Sequence, residues 1–405
     1  MSNQREVVVV AAARTPFGKF GGAMKDLSSL DLGVKAISEV LNRLDQPKEL
    51  VEELYYGTCV LAENALETNV LGRQAVLKAG LSPGVISLTI DRACCSSVTA
   101  LHLGFRSIMS GEADVVVAVG SENMSRTPYL APQVRWGQRM GNGPLTDPLF
   151  ALGYADWNPV SVDAGEVALE YGVSREEQDR WALRSQQRYA RALEEGKFAE
   201  EIFSVDVPGK KGAQVVEKDE QPRPDVTLEQ LAKLPTIYGS PTITAGNAPG
   251  MNTGAAALVL MAREKAEELR VEPLATVRSI ASAALEPHLI AAAPAPAIEK
   301  ALQRAGGLNV EQLDLIEINE AFAAMPLVSS KILAGDDPEK LERLREKINV
   351  NGGAIAIGHP VGASGARIIM TLIYELRRRG GGLGVASICG GLAQADAVIL
   401  ETLNT

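Results

Sequence analysis

Asn351-Gly352-Gly353-Ala354-Ile355-Ala356-Ile357-Gly358-His359-Pro360-Val361-Gly362-Ala363-Ser364-Gly365-Ala366-Arg367 sets one of the chain's three histidines in a loop of small residues, directly before an apolar helical run. Glycine accepts torsions that other residues cannot and lets backbone and ligand approach closely. A histidine between Gly358 and Pro360 therefore reads as a placed acid or base. The stretch has a counterpart 265 residues earlier. There Asp91-Arg92-Ala93-Cys94-Cys95 follows a short strand-like run and precedes a helix opening at Ser96.

Outward from these two points the chain reads as one unit written twice. The first half gives strand 7–11, helix 30–44, strand 54–57, helix 69–79, strand 86–90, helix 96–110 and strand 114–120. The second gives strand 275–280, helix 295–305, strand 313–318, helix 323–333, strand 348–351, helix 363–378 and strand 384–388. The expected fold is α/β, with two duplicated βαβαβαβ halves. Alternating strands and helices build parallel-rich sheets covered on their faces. Ligands of such sheets lie beyond the carboxyl ends of strands. Cys94 and His359 occupy equivalent places, so a pseudo-two-fold arrangement brings both to one crevice.

The expected division is 1–122 for the first half, completed by 251–273, and 274–405 for the second. Residues 123–250 have no counterpart and read as an inserted domain, a lid over the crevice. The insertion carries the helical run 175–196 and the basic residues Lys210, Lys211, Arg223 and Lys233. The return stretch 244–256 is rich in glycine and alanine. It reads as a close-contact loop before a buried strand at 257–261.

Composition bounds the function. The 405 residues carry a net charge of −10, which disfavours a nucleic-acid surface. No apolar run is long enough to span a membrane. The four cysteines, Cys59, Cys94, Cys95 and Cys389, have no metal-ligand spacing, and so few in a long chain suit a reducing, cytoplasmic setting.

Cys94 at the head of a helix is placed for a stabilised thiolate nucleophile. By position alone either Cys94 or Cys95 could fill that role. Cys389-Gly390-Gly391 ends a strand, where a thiol and free backbone N–H groups could meet a ligand. Asn319 in Asn319-Glu320-Ala321-Phe322 could hold a water or an oxyanion, or cap a helix. Glu320 in an apolar setting requires hydrogen bonds or a charged partner.

Together, in this order, Arg14-Thr15-Pro16-Phe17-Gly18, Cys94, Thr244-Ala245-Gly246-Asn247, Asn319-Glu320-Ala321-Phe322, Asn351-Gly352-Gly353, Gly358-His359-Pro360 and Cys389-Gly390-Gly391 resemble the thiolase family over essentially the whole length. The resemblance implies a layered αβαβα core and a ping-pong reaction: CoA-dependent cleavage of a 3-oxoacyl-CoA, reversible as a Claisen condensation. It implies Cys94 as the acyl-carrying nucleophile, His359 as its base, Asn319 as holder of a water and Cys389 as the acid/base at the α-carbon. The backbone N–H groups of Cys94 and Gly391 would form a second oxyanion hole. It further implies Arg223, Ala248, Pro249, Ile290 and Phe322 around acyl-CoA and CoA, no cofactor or metal, and a homodimer or homotetramer paired through strand 114–120. An accessory subunit is an alternative. A decarboxylating ketoacyl synthase shares the doubled fold, but Cys389 and Gly358-His359-Pro360 argue against it.

The chain departs from the pattern at Asp91, where asparagine is usual, and at Cys95 and Ser97, where small residues or glycine are usual. Pro249 replaces a serine and Ala393 a glycine. Ile290-Ala291-Ala292-Ala293-Pro294 and Pro159-Val160-Ser161 rebuild two walls. The expected enzyme is a degradative thiolase for a branched, aryl or carboxylated 3-oxoacyl-CoA; a biosynthetic acetoacetyl-CoA thiolase is the alternative.

Overall fold

Val7–Arg14 (β1) is buried at every residue, as its run of valine and alanine requires of a strand covered on both faces. The computed structural model describes residues 5–66, 69–150, 154, 156–209 and 212–403; Lys210 and Lys211 lie outside them. After β1 come α1 (Ser29–Leu44), β2 (Glu53–Gly57), α2 (Leu71–Lys78), β3 (Ile86–Ile90), α3 (Ser96–Ser110) and β4 (Val115–Asn123). Ser28 and Asp31 close a capping box at the head of α1. The insertion contributes α4 (Val160–Glu170) and α5 (Arg175–Glu194), and the chain returns as β5 (Asn252–Ala262). The second half follows as β6 (Ala275–Ala284), α6 (Pro294–Arg304), β7 (Leu315–Ile318), α7 (Ala324–Ala334), α8 (Pro338–Lys347), α9 (Val361–Arg378), β8 (Gly382–Gly390) and β9 (Gln394–Thr402).

The strand orders are β3-β2-β4-β5-β1 and β7-β8-β9-β6, so the halves repeat one topology. The shared part is β2-β4-β5-β1 against β7-β8-β9-β6; the first half carries one strand more, β3, whose counterpart in the second half does not form. β5 and β9 insert antiparallel between β4 and β1 and between β8 and β6. Two residue pairs, Val8 with Thr276 and Val9 with Ala275, join the sheets. α1 and α2 cover one outer face, α6 covers the other with α7 packed beside it, and α3 and α9 pack between the sheets. The layers are αβαβα.

The strand expected at 348–351 does not form. Ile348 makes a single bridge to Ile316. Asn349 then turns left-handed at φ +50°, and its side chain takes the ladder bonds instead. Its Oδ1 accepts from Ile318 N at 2.9 Å and its Nδ2 donates to Ile318 O at 2.8 Å.

The pairing strand expected at 114–120 is also corrected. β4 is interior, held by β2 on one side and β5 on the other. The first sheet's outer strand is β3, whose Ile86 and Leu88 side chains are exposed.

At the centre α3 and α9 cross through small residues. A Cβ on Gly365 would lie 2.5 Å from Val98 Cγ2, and one on Gly120 only 2.1 Å from the Gly362 carbonyl oxygen. Ser97 Oγ, where the resemblance expects a small residue or glycine, accepts from Ala366 N at 3.0 Å across the two halves. The insertion is tied down by buried Arg14, which donates to Glu201 at 2.8 Å and to both oxygens of Asp219 at 2.7 and 3.0 Å. A buried charge is tolerable only when paired and hydrogen-bonded in this way.

Candidate active site

The duplication does what its symmetry implies. The loops before α3 and α9 meet, and Cys94 Sγ lies 3.3 Å from His359 Nε2. The other face of the ring is fixed by Ser364, one helical turn into α9, with Nδ1 to Oγ at 2.6 Å. The Ser364 hydroxyl donates its proton to Pro360 O at 3.0 Å. Its oxygen can therefore only accept from the ring, so Nδ1 carries the hydrogen and Nε2 presents a lone pair to the thiol. The His359 backbone N–H donates to Asn252 Oδ1 at 2.8 Å, which anchors the loop on β5.

Burial, then Arg367, holds the His359 imidazolium down to about 3, so the ring is neutral at physiological pH. Burial also pushes the Cys94 thiol well above its ordinary value. This corrects the expected thiolate at a helix head. The helix begins only at Ser96 with Cys95 as its cap, and burial favours the neutral thiol. The resting pair is thiol and neutral imidazole, and the nucleophile is made by proton transfer to Nε2.

The adjacent cysteines are placed differently. Cys95 is fully buried, and its Sγ donates to the Ile388 carbonyl at 3.4 Å. Cys94 lines a cavity of about 390 Å³ together with His359, Cys389, Gly390 and Gly391. Burial pushes the Cys389 thiol up to about 12, which keeps its proton in place. The tight turn behind it places Leu392 and Ala393 left-handed at φ +55° and +57°. Ala393 is the position where the resemblance expects glycine, the residue suited to that torsion.

Asn319 is buried but does not line the cavity. It is no helix cap, since α7 begins after Ala323. Arg367 Nη2 donates to its Oδ1 at 3.2 Å, and its Nδ2 finds no partner among the described residues. Glu320 is a structural hub. It accepts from Trp181 Nε1 (2.9 Å), Ser185 Oγ (2.7 Å), Asn349 Nδ2 (3.0 Å) and Ile355 N (3.2 Å). A Cβ on Gly353 would fall 2.3 Å from its carboxyl carbon, which explains the second glycine of Asn351-Gly352-Gly353.

Ala248, Pro249, Ile290 and Phe322 line the same cavity, and so do Pro159, Val160 and Ser161. Exposed Arg223 stands where this cavity adjoins a second groove; both share Gln221, Arg223, Ala245 and Ala248. A long ligand could thread both spaces.

Sequence reading missed Ser364, Asn252 and Glu122. Glu122, fully buried, accepts from Cys59 N, Val60 N and Gly362 N, each at 3.0 Å. It so pins the head of α9 to the first half, and burial pushes its carboxyl up to about 7. Ser364 was visible as a hydroxyl five residues after His359, but only the folded loop shows that it faces the ring.

Ser364→Ala removes the acceptor that orients the imidazole. Turnover should fall about 100-fold with little change in KM for CoA, since misplacement by about 1 Å costs that much. Steady-state kinetics at several CoA concentrations checks this; an unchanged kcat would mean that Ser364 does not set the ring.

Comparison with known proteins agrees along the whole chain. Residues 7–264 match the family model for the thiolase N-terminal domain, and 271–402 that for the thiolase C-terminal domain. The acetyl-CoA acetyltransferase of Syntrophomonas wolfei is 43% identical over 405 residues, covering 98% of this chain and 100% of that one. An acetyl-CoA acetyltransferase of Escherichia coli is 41% identical, covering 99% and 100%. The crystal structure of the Bacillus anthracis acetyl-CoA acetyltransferase superposes with a TM-score of 0.92 at 39% identity, covering 99% of each chain. Human mitochondrial 3-ketoacyl-CoA thiolase in complex with CoA superposes at 0.89 with 37% identity, covering 98% of each.

Proposed function

Because the chain belongs to the thiolase family, it is an acyltransferase that takes CoA as a substrate with no separate cofactor, and we propose that Cys94, His359, Cys389, Asn319 and Gly391 carry its reaction. The family's general reaction is thiolysis of a 3-oxoacyl-CoA, reversible as a Claisen condensation. The observation that carries the assignment is the 3.3 Å approach of Cys94 Sγ to a His359 Nε2 whose lone pair is set by Ser364.

In this reading Cys94 Sγ attacks the 3-oxo carbonyl and its proton passes to His359 Nε2. The bond between Cα and C3 breaks, and the electron pair stays on Cα as the enolate of acetyl-CoA. Cys389 gives its proton to Cα and acetyl-CoA leaves. The Cys389 thiolate then takes the proton of incoming CoA, whose sulfur attacks the Cys94 thioester. The shortened acyl-CoA departs, and Cys94 recovers its proton from His359. Asn319, with Oδ1 engaged by Arg367 and Nδ2 free, is suited to hold a water at the first oxyanion. The backbone N–H groups of Cys94 and Gly391, which border the same cavity, are assigned the second.

Residues 123–250 serve as the lid over CoA, with Arg223, Ala248 and Pro249 along its path and Ile290 and Phe322 beside the acyl group. The enzyme is read as degradative, with an acyl group larger than acetyl. Pro159, Val160, Ser161 and Ile290 offer small or branched walls, and Arg223 is the one cation lining the cavity among the described residues. Uncharged branched or aryl groups fit this lining better than carboxylated ones. A homodimer or homotetramer would cover the open edge of β3 and the exposed Trp136 and Met140 between Leu130 and Thr146, which pair with each other. Among the described residues no helix is long and apolar enough to cross a membrane, and the four cysteines are free, as a cytoplasmic setting allows.

The test is CoA-dependent thiolysis across acetoacetyl, medium straight-chain, branched, aryl and carboxylated 3-oxoacyl-CoAs. A bulky uncharged substrate should be fastest. Acetoacetyl-CoA as the best substrate would favour the biosynthetic alternative, and no turnover without an added protein would favour an accessory subunit.

A further inference from the structure

Two side chains flanking Cys94 reach into the other half. Arg92 Nη1 donates to both oxygens of Asp396, at 3.0 and 2.8 Å, and Arg92 Nε to Gln394 Oε1 at 3.3 Å. Thr99 Oγ1 accepts from Arg92 Nη1 at 2.7 Å and donates to Asp396 Oδ2 at 3.2 Å. Asp396 is fully buried and stands opposite Ile388 in the β8–β9 ladder, next to the pair that contains Cys389. On the other side of the nucleophile, Cys95 Sγ reaches Ile388 O and lies 2.8 Å from where a Cβ on Gly390 would stand. The turn 91–95 is thus seated on the 388–396 hairpin from two sides, with Cys94 between the two contacts.

We propose that the Arg92–Asp396 pair is a positioning device for carbon–carbon bond cleavage, holding the Cys94 turn in register with Cys389 and Gly391. The proposal rests on the roles given above to Cys94 and Cys389. A carboxylate this buried is strongly destabilising once its cation is removed, so the hairpin and the turn must shift apart or rearrange without Arg92. Such a shift harms only steps that need both thiols.

Two reactions separate these steps. In acyl exchange Cys94 attacks a thioester carbonyl, its proton passes to His359, the carbon–sulfur bond breaks and CoA leaves with that proton; no carbon is protonated, so Cys389 stays a thiol throughout, whereas in thiolysis it must recover from CoA the proton it gave to Cα. In thiolysis the Cα–C3 bond breaks and Cα takes a proton from Cys389. Exchange therefore needs the Cys94–His359 pair, and thiolysis needs that pair and Cys389 in register.

The experiment compares wild type, Arg92→Met, Arg92→Lys and Asp396→Asn as full-length protein. It measures exchange of deuterated CoA into acetyl-CoA by mass spectrometry, and thiolysis of the fastest 3-oxoacyl-CoA of the panel. Thiolysis should fall about 100-fold in Arg92→Met and Asp396→Asn while exchange stays within about threefold of wild type, with Arg92→Lys in between. Retained exchange also shows that the variants are folded. Equal losses in both reactions, or undiminished thiolysis, would overturn the proposal. Wild type lacking exchange would instead sink the nucleophile assignment beneath it.

Discussion

Cys94→Ser should lower thiolysis by about 10⁴-fold or more while leaving the melting temperature within a few degrees, because the nucleophile is lost and the volume kept. The serine hydroxyl meets the same neutral His359 but is a far weaker acid than the thiol it replaces. Cys95→Ser should behave differently. Cys95 is fully buried and donates to Ile388 O, so its replacement should disturb packing more than chemistry. Incubation with acyl-CoA followed by intact mass should show an acyl adduct on wild type and none on Cys94→Ser. An adduct persisting in that variant would transfer the role to another thiol.

The same pair sets the pH behaviour of the free enzyme. Burial raises the Cys94 thiol and lowers the His359 imidazolium, so both move toward their neutral forms. Alkylation of Cys94 by iodoacetamide should therefore keep rising with pH through 8. A thiolate–imidazolium pair would instead give a plateau from about pH 6, since the thiolate would already be formed there.

Gly120→Ala should be the most damaging single methyl for stability, about 3 kcal/mol. Its Cβ would lie 2.1 Å from the Gly362 carbonyl oxygen and 2.7 Å from Ser97 Cβ, where backbone meets backbone at the centre of the layers. No flexible side chain can yield there. The shift would pass to the head of α9 and so to His359, and activity should fall with stability. Gly84→Ala is the control: its nearest neighbour would be Ser82 Oγ at 3.4 Å, and its cost should stay within about 0.5 kcal/mol. Urea denaturation at one fixed protein concentration compares them. Equal midpoints would mean that the central crossing is looser than its geometry.

Much of this was legible in the residues. Seven elements of the first half and six of the second followed from periodicity, because burial on one or both faces is written locally into each strand and helix. The equal spacing of the halves placed Cys94 and His359 at equivalent points, and Glu320 was correctly expected to require hydrogen bonds. Asn349 was misread as strand because its side chain, not its backbone, makes the ladder bonds. The antiparallel strand of each half entered from beyond the repeat, after the insertion in one case and at the chain's end in the other.

What the sequence by itself determined is therefore the doubled α/β pattern and the set of reactive side chains it carries to one crevice. Tertiary structure alone decided which of two adjacent cysteines faces that crevice, which nitrogen of His359 is free, that β4 is interior, and that Arg92 finds Asp396. Each of these depends on how two distant loops dock. Docking is governed by burial, by hydrogen-bond direction and by sub-ångström clearances at glycines, none of which repeats along the chain with a period that a sequence can display.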